Sequence, residues 1–285
     1  MSIMEKKQMK DTVYTAACGA WIGGTMTVPG VSGGSMAMIL GIYDRLIASV
    51  NGIFQKGKFK ESLFFLLKFM LGAGAGLFLF AKLITLALTH FPMATGYFFL
   101  GCVAGGAPMI FRSAKIKKVG VSIFIYPILG IAAALLITLI PEGLLEINGT
   151  GALAIVGGIL IQLIGGLVVA VALVLPGISV SQMLLVLGVY EPITAAVDAL
   201  DILTLFSFAP LVIGTVGGIL LTTNLIEKAM KRQPTATYLI VFGFILGSLP
   251  ELFPGLPTGW DLLLCPLLAA LGFLSVFFIS KKENA

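Results

Sequence analysis

Charge is what this chain has least of. Asp, Glu, Lys and Arg make up 11% of its 285 residues against 58% hydrophobic residues, with a mean hydropathy of +1.08, and that balance excludes a soluble globular domain. The chain reads as a polytopic membrane protein. Histidine is confined to His90, expected in a loop, which is weak ground for a proton relay. Cys18, Cys102 and Cys265 are odd in number, lie in apolar runs and lack CxxC or Cys/His spacing, so neither a disulfide framework nor a metal site is expected. No Walker phosphate loop, HExxH or GxSxG occurs, and no cofactor is implied. GAGAG at Gly72 to Gly76 matches part of a dinucleotide loop but lies inside a membrane run, where small residues serve helix packing. No signal-like start with a small-residue cleavage site is found, which makes Met1 to Asp11 an expected cytosolic tail.

What the chain does have is a repeat. VPGVSGGSMAMILGIYD at residues 28–44 returns as LPGISVSQMLLVLGVYE at residues 175–191. Pro29/Pro176, Gly30/Gly177, Ser32/Ser179, Met36/Met183, Leu40/Leu187, Gly41/Gly188 and Tyr43/Tyr190 fall in register, and Asp44 stands opposite Glu191. In each copy an apolar run stops at Pro-Gly, small residues and serines follow, and a new apolar helix begins: the pattern of a broken membrane helix. Beyond the motif, Gly72 and Gly76 align with Gly214 and Gly218, Pro92 with Pro234, Gly101 and Gly105 with Gly243 and Gly247, and Pro108 with Pro250. The spacing predicts a duplication, residues 1–147 forming one unit and 148–285 the other within one membrane domain.

Each half holds five apolar runs, at Val13–Val28, Met36–Val50, Leu63–Leu88, Gly96–Ile110 and Val119–Ile140, then Ala152–Leu175, Met183–Val197, Leu203–Ile226, Tyr238–Leu249 and Leu262–Ile279. Fifteen of the eighteen Lys and Arg residues fall in the N-terminal tail, Lys56–Lys60, Arg112–Lys118, Lys228–Arg232 and the C-terminal tail. The connections at His90, Glu142–Glu146, Asp198–Asp201 and Glu251–Asp261 hold no Lys or Arg. The positive-inside rule puts the first set in the cytosol and the second outside, so the net charge of +5 reports sidedness and not a nucleic-acid partner. The pair of runs around Pro29 then leaves from and returns to the cytosol, and the pair around Pro176 does the same from outside. Three single crossings per half invert one half relative to the other. Val13–Val28 measures about 24 Å as helix, short of a hydrocarbon core of about 30 Å, whereas Ala152–Leu175 at about 36 Å could span. The expected fold is an all-α inverted repeat, each half a re-entrant helical hairpin plus three transmembrane helices, with both termini cytosolic.

Each Pro-Gly tip presents free backbone N–H groups, a helix N-terminus and serine hydroxyls, and its glycines let a ligand come close. The expected binding set is Pro29, Gly30, Ser32, Gly33, Gly34 and Ser35 with Pro176, Gly177, Ser179, Ser181 and Gln182, and phosphate or carboxylate is the natural guest. Small residues equally permit close helix packing; two inverted copies at the expected midplane favour the anion site. Lys82, in the outer third of its run, either snorkels outward or contacts phosphate. Arg45 returns to the cytoplasmic interface, as an anchor or as a receiver of the anion. Asp44 and Glu191 are the candidate proton carriers, although such acids also cap interfaces.

The two motifs resemble those of the bacterial and archaeal polyprenyl-phosphate transporters, over nearly the whole chain. The resemblance implies return of undecaprenyl phosphate, the lipid carrier of cell-wall synthesis, from the outer to the cytoplasmic leaflet of the plasma membrane. Inward movement of negative charge opposes an inside-negative potential by about 2.3 kcal/mol per charge per 100 mV, which makes proton co-transport the expected coupling. Val180 and Gln182 depart from the Gly-rich first copy. Undecaprenyl-pyrophosphate phosphatases carry similar PGxSRS-like motifs, but here Gly33 and Val180 stand where that motif has arginine, and no paired glutamates occur in an early membrane segment. Hydrolysis needs a cation on the phosphoryl group and a base or nucleophile. A transporter is expected, not an enzyme.

Overall fold

The computed structural model describes residues 3–26, 31–116, 120–141, 143 and 152–282. Pro29 and Gly30 of the first tip, and Glu142 and Glu146 of an expected outer connection, lie outside the described residues. Every regular element among the described residues is helical. α1 (Ile3–Thr25) begins well before the apolar run at Val13, because the expected tail, rich in Met, Glu, Lys and Gln, is itself a good helix former. The whole helix is thus about 34 Å long, although its apolar part is not.

α2 (Gly33–Ile39) and α3 (Tyr43–Gly52) follow, and the single run expected over Met36–Val50 is broken between them. Gly41 sits at φ +79°, its N–H bonded to Met38 O at 3.1 Å and that of Ile42 to Ala37 O at 3.0 Å, a Schellman stop. The second copy does the same between α8 (Val180–Val186) and α9 (Tyr190–Asp198), with Gly188 at φ +69° and N–H bonds from Gly188 to Leu185 O and from Val189 to Leu184 O. The chain has by then turned back along α1. Tyr14 donates its hydroxyl to Leu40 O at 2.7 Å, and Arg45 grips Asp11 through two bonds of 2.5 and 2.9 Å.

The remaining helices are α4 (Phe59–His90), α5 (Pro92–Ser113), α6 (Ser122–Thr138), α7 (Ala152–Val174), α10 (Ile202–Ser207), α11 (Ala209–Arg232), α12 (Pro234–Leu252) and α13 (Asp261–Lys282). Pro210 separates α11 from α10, whose start is capped by Asp201. The Asp201 carboxylate accepts the Thr204 hydroxyl and N–H, and these bonds hold it below the usual carboxylate range. Among the described residues six helices are long and apolar enough to cross a membrane: Phe59–His90, Pro92–Ser113, Val156–Val174, Ala209–Arg232, Pro234–Leu252 and Asp261–Phe278. The chain is a multi-pass membrane protein. Five of the six coincide with expected crossings. The difference is that Val156–Val174, expected as a hairpin arm, is long enough to cross, while α6 has 17 residues and ends before Pro141.

Small residues decide which helices touch. α1 packs on α4 and α7 on α11, whereas α5 packs on α13 and α12 on α6. A Cβ at Gly72 would lie 2.2 Å from Ala16 O, and one at its aligned partner Gly214 would lie 2.2 Å from Leu163 O. One at Gly101 would lie 2.0 Å from Ala269 O, and one at Gly243, 2.1 Å from Pro127 O. Aligned glycines thus meet aligned backbones, at separations only glycine permits. α2 is held at the centre: Met36, Ile39 and Ile42 are fully buried, and Ile39 fills the notch at Gly106 of α5.

Candidate functional site

The two motifs meet. Ser32 caps α2 from extended backbone (φ −88°, ψ 144°), its Oγ accepting the Ser35 N–H at 3.0 Å and lying 2.8 Å from the Ser35 hydroxyl. The same Oγ accepts the N–H of Gly177 at 3.0 Å, across the aligned copies. Gly177 holds φ +84°, and a Cβ there would lie 2.4 Å from the Phe244 backbone of α12, so glycine is required on both counts. Gly34 faces Pro176 so closely that an added Cβ would sit 3.2 Å from its Cα. Ser179 caps α8 with a longer bond, 3.4 Å from the Gln182 N–H.

A cavity of about 860 Å³ opens at this junction, within the usual range for ligand pockets. Ser32, Gly33, Gly34, Ser179, Ser181 and Gln182 line it; Ser35 is buried just behind. No Lys, Arg or His is among the described lining residues. Lys82 is exposed on α4, away from that lining. Arg45 lies outside it too, paired with Asp11 and with its guanidinium 4.4 Å above the Phe65 ring. Asp44 accepts the Tyr238 hydroxyl, and Glu191 is exposed in the first turn of α9.

Four polar lining residues were not singled out as binding residues from sequence: Tyr43, Tyr190, Thr223 and Glu251. The tyrosines carried a signal, since they repeat in register. Tyr43 is buried and donates its hydroxyl to Val174 O at 2.7 Å, joining the start of α3 to the end of α7. Thr223 bonds Asn51 Oδ1 at 2.8 Å, and Asn51 in turn donates to Glu227 at 2.5 Å. Glu251, expected in an outer connection, belongs to the last turn of α12.

The chemistry available is that of neutral donors. α2 and α8 have seven residues each, so local N–H and O–H groups outweigh any macrodipole. Ser35 N–H and Gly177 N–H both donate to Ser32 Oγ and are paired there, so the groups the cavity offers an anion are the hydroxyls of Ser32, Ser179 and Ser181 and the amide of Gln182. Membrane-crossing helices around two broken segments that meet at a cavity, mostly apolar with a few polar groups at the tips, are the architecture of a membrane carrier. The family model described as undecaprenyl phosphate translocase-like matches residues 22–259, and the chain belongs to that family. It is 33% identical over 237 residues to a polyprenyl-phosphate transporter of Staphylococcus aureus, covering 81% of this chain and 82% of that one. It is 31% identical over 250 residues to a polyprenyl-phosphate transporter of Vibrio cholerae, covering 83% and 76%. No solved structure matches.

Proposed function

We propose that this protein carries a polyprenyl phosphate from the outer to the cytoplasmic leaflet of the plasma membrane, holding the phosphate between the two Pro-Gly tips while the isoprenoid chain stays in lipid. The observation that carries the reading is the Ser32–Gly177 hydrogen bond, which brings both motifs to one cavity. The names of the two relatives supply the substrate class. Hydrolysis is disfavoured because no Lys, Arg or His stands among the described lining residues to hold a transferring phosphoryl group.

The halves 1–147 and 148–285 act as inverted repeats with both termini in the cytosol. The reciprocal glycine contacts support the repeat. The return of the chain from the tip to Asp11 and Tyr14 by Leu40–Arg45 supports a re-entrant hairpin, since Asp11 to Thr25 climbs only about 21 Å. Lys82, exposed on α4, assists capture at the outer leaflet, and Arg45 receives the phosphate at the cytoplasmic face. In proteoliposomes, undecaprenyl phosphate should change leaflets without release of inorganic phosphate, and the diphosphate should remain intact. Phosphate released from the diphosphate in a Ser32-dependent way would establish a phosphatase instead.

A further inference from the structure

We propose that Glu251 binds a proton together with the lipid phosphate, so that each head group crosses in company with one proton. This rests on the carrier reading above. Glu251 shares the cavity with both tips and is the one Asp or Glu among its described lining residues. The other titratable groups of that lining are Tyr43 and Tyr190. An anion entering the cavity therefore meets a carboxylate with no cation to offset it, and like charges repel strongly where water is scarce. Protonation removes the conflict and converts the group from acceptor to donor, able to give its O–H to a phosphate oxygen.

Among the described residues no ion pair engages Glu251. α12 packs against α5, α6 and α11. Arg112 of α5 and Glu227, Lys228, Lys231 and Arg232 of α11 sit beside the opposite end of α12, where Thr235 donates to Ala114 O. α6 carries Tyr126 but no charged residue. Tyr97 of α5 gives its hydroxyl to Gly255 O at 3.1 Å. Of the other acids considered, Asp44 is held by Tyr238 and Glu191 lies off the lining. In the proposed topology the end of α12 faces outward, so the proton comes from the outer side with the phosphate and is released to the cytosol when the phosphate leaves. A singly charged head group then crosses with no net charge, which removes the opposing work of the membrane potential.

The test is binding of undecaprenyl phosphate to the full chain in nanodiscs, with calorimetry in buffers of different ionisation heat. The wild type should take up about one more proton per lipid than Glu251→Gln. Above the carboxyl's titration its affinity should fall about tenfold per pH unit beyond the slope that the lipid phosphate itself imposes on Glu251→Gln. Glu251→Asp should keep both the uptake and the slope. Equal proton uptake by wild type and Glu251→Gln, with both binding, overturns the proposal and leaves the carrier reading intact. If Glu251→Gln does not bind, Glu251→Asp decides: binding without proton uptake overturns the proposal. Failure of the wild type to bind the lipid overturns both.

Discussion

The hydroxyl oxygen of Ser32 lies 3.0 Å from the amide nitrogen of Gly177, a residue 145 positions further along the chain. Ser32 also caps its own helix through Ser35. One side chain thus both ends a helix break and ties it to the second break. Ser32→Ala removes both bonds. Loss of the cap costs about 1 kcal/mol, so the variant should fold with a slightly lowered melting temperature. Leaflet exchange of undecaprenyl phosphate should fall more than tenfold, about 1.4 kcal/mol in the barrier. Normal exchange in a folded Ser32→Ala would move the site elsewhere.

Gly34 gives a graded version of the same test. Its missing side chain faces Pro176 at 3.2 Å, tight enough that alanine needs a shift of a few tenths of an ångström. Gly34→Ala should retain reduced transport, whereas Gly34→Trp should occupy the junction and abolish it. Thermal unfolding of both in detergent separates blockage from misfolding, and a Gly34→Trp protein that still transports contradicts the placement.

Tyr43→Phe asks about stability. The phenol hydroxyl donates to Val174 O in a buried setting, and an unpaired buried carbonyl costs about 1–3 kcal/mol. The melting temperature should drop clearly, while Tyr190→Phe, at the half-exposed aligned position, should do less.

Arg45 and Asp11 form a half-exposed ion pair, worth about 0–1 kcal/mol. Arg45→Gln and Asp11→Asn should therefore leave stability nearly unchanged. If Arg45 receives phosphate, Arg45→Gln slows transport and Asp11→Asn, which frees the guanidinium, does not. Equal small effects leave Arg45 an interfacial anchor.

Sidedness is open to labelling, because all three native cysteines are buried and give little background. A cysteine at Thr258 should react with an impermeant maleimide in intact cells, and one at Lys58 only after permeabilisation. Reaction of both from one side would sink the inverted arrangement.

The breaks between α1 and α2 and at Pro176 were legible because Pro-Gly followed by small residues and serines disfavours a continuous helix, and the second copy doubled the signal. The breaks at Gly41 and Gly188 were in the same alignment, yet Met36–Val50 and Met183–Val197 were read as unbroken runs: one glycine inside an apolar run says nothing of φ until its neighbours' hydrogen bonds are known. The pairing of α5 with α13 was not legible at all, since Gly101 shows a close approach but not to which backbone. Glu251 was assigned to a loop because the apolar run ends at Leu249. The helix runs one turn further, and that turn carries the carboxyl to the cavity.

The notch at Gly101 and Gly105 of α5 is cut for Ala269 and Phe273 of α13, the last helix in this sequence. α1 and α4 can close on each other soon after both leave the ribosome, but α5 enters the bilayer with its seam open and must wait for the far end of the chain. Until then lipid or another protein has to cover that face. A nascent chain stalled before Asp261 would therefore expose a glycine-lined seam, a natural mark for membrane quality control.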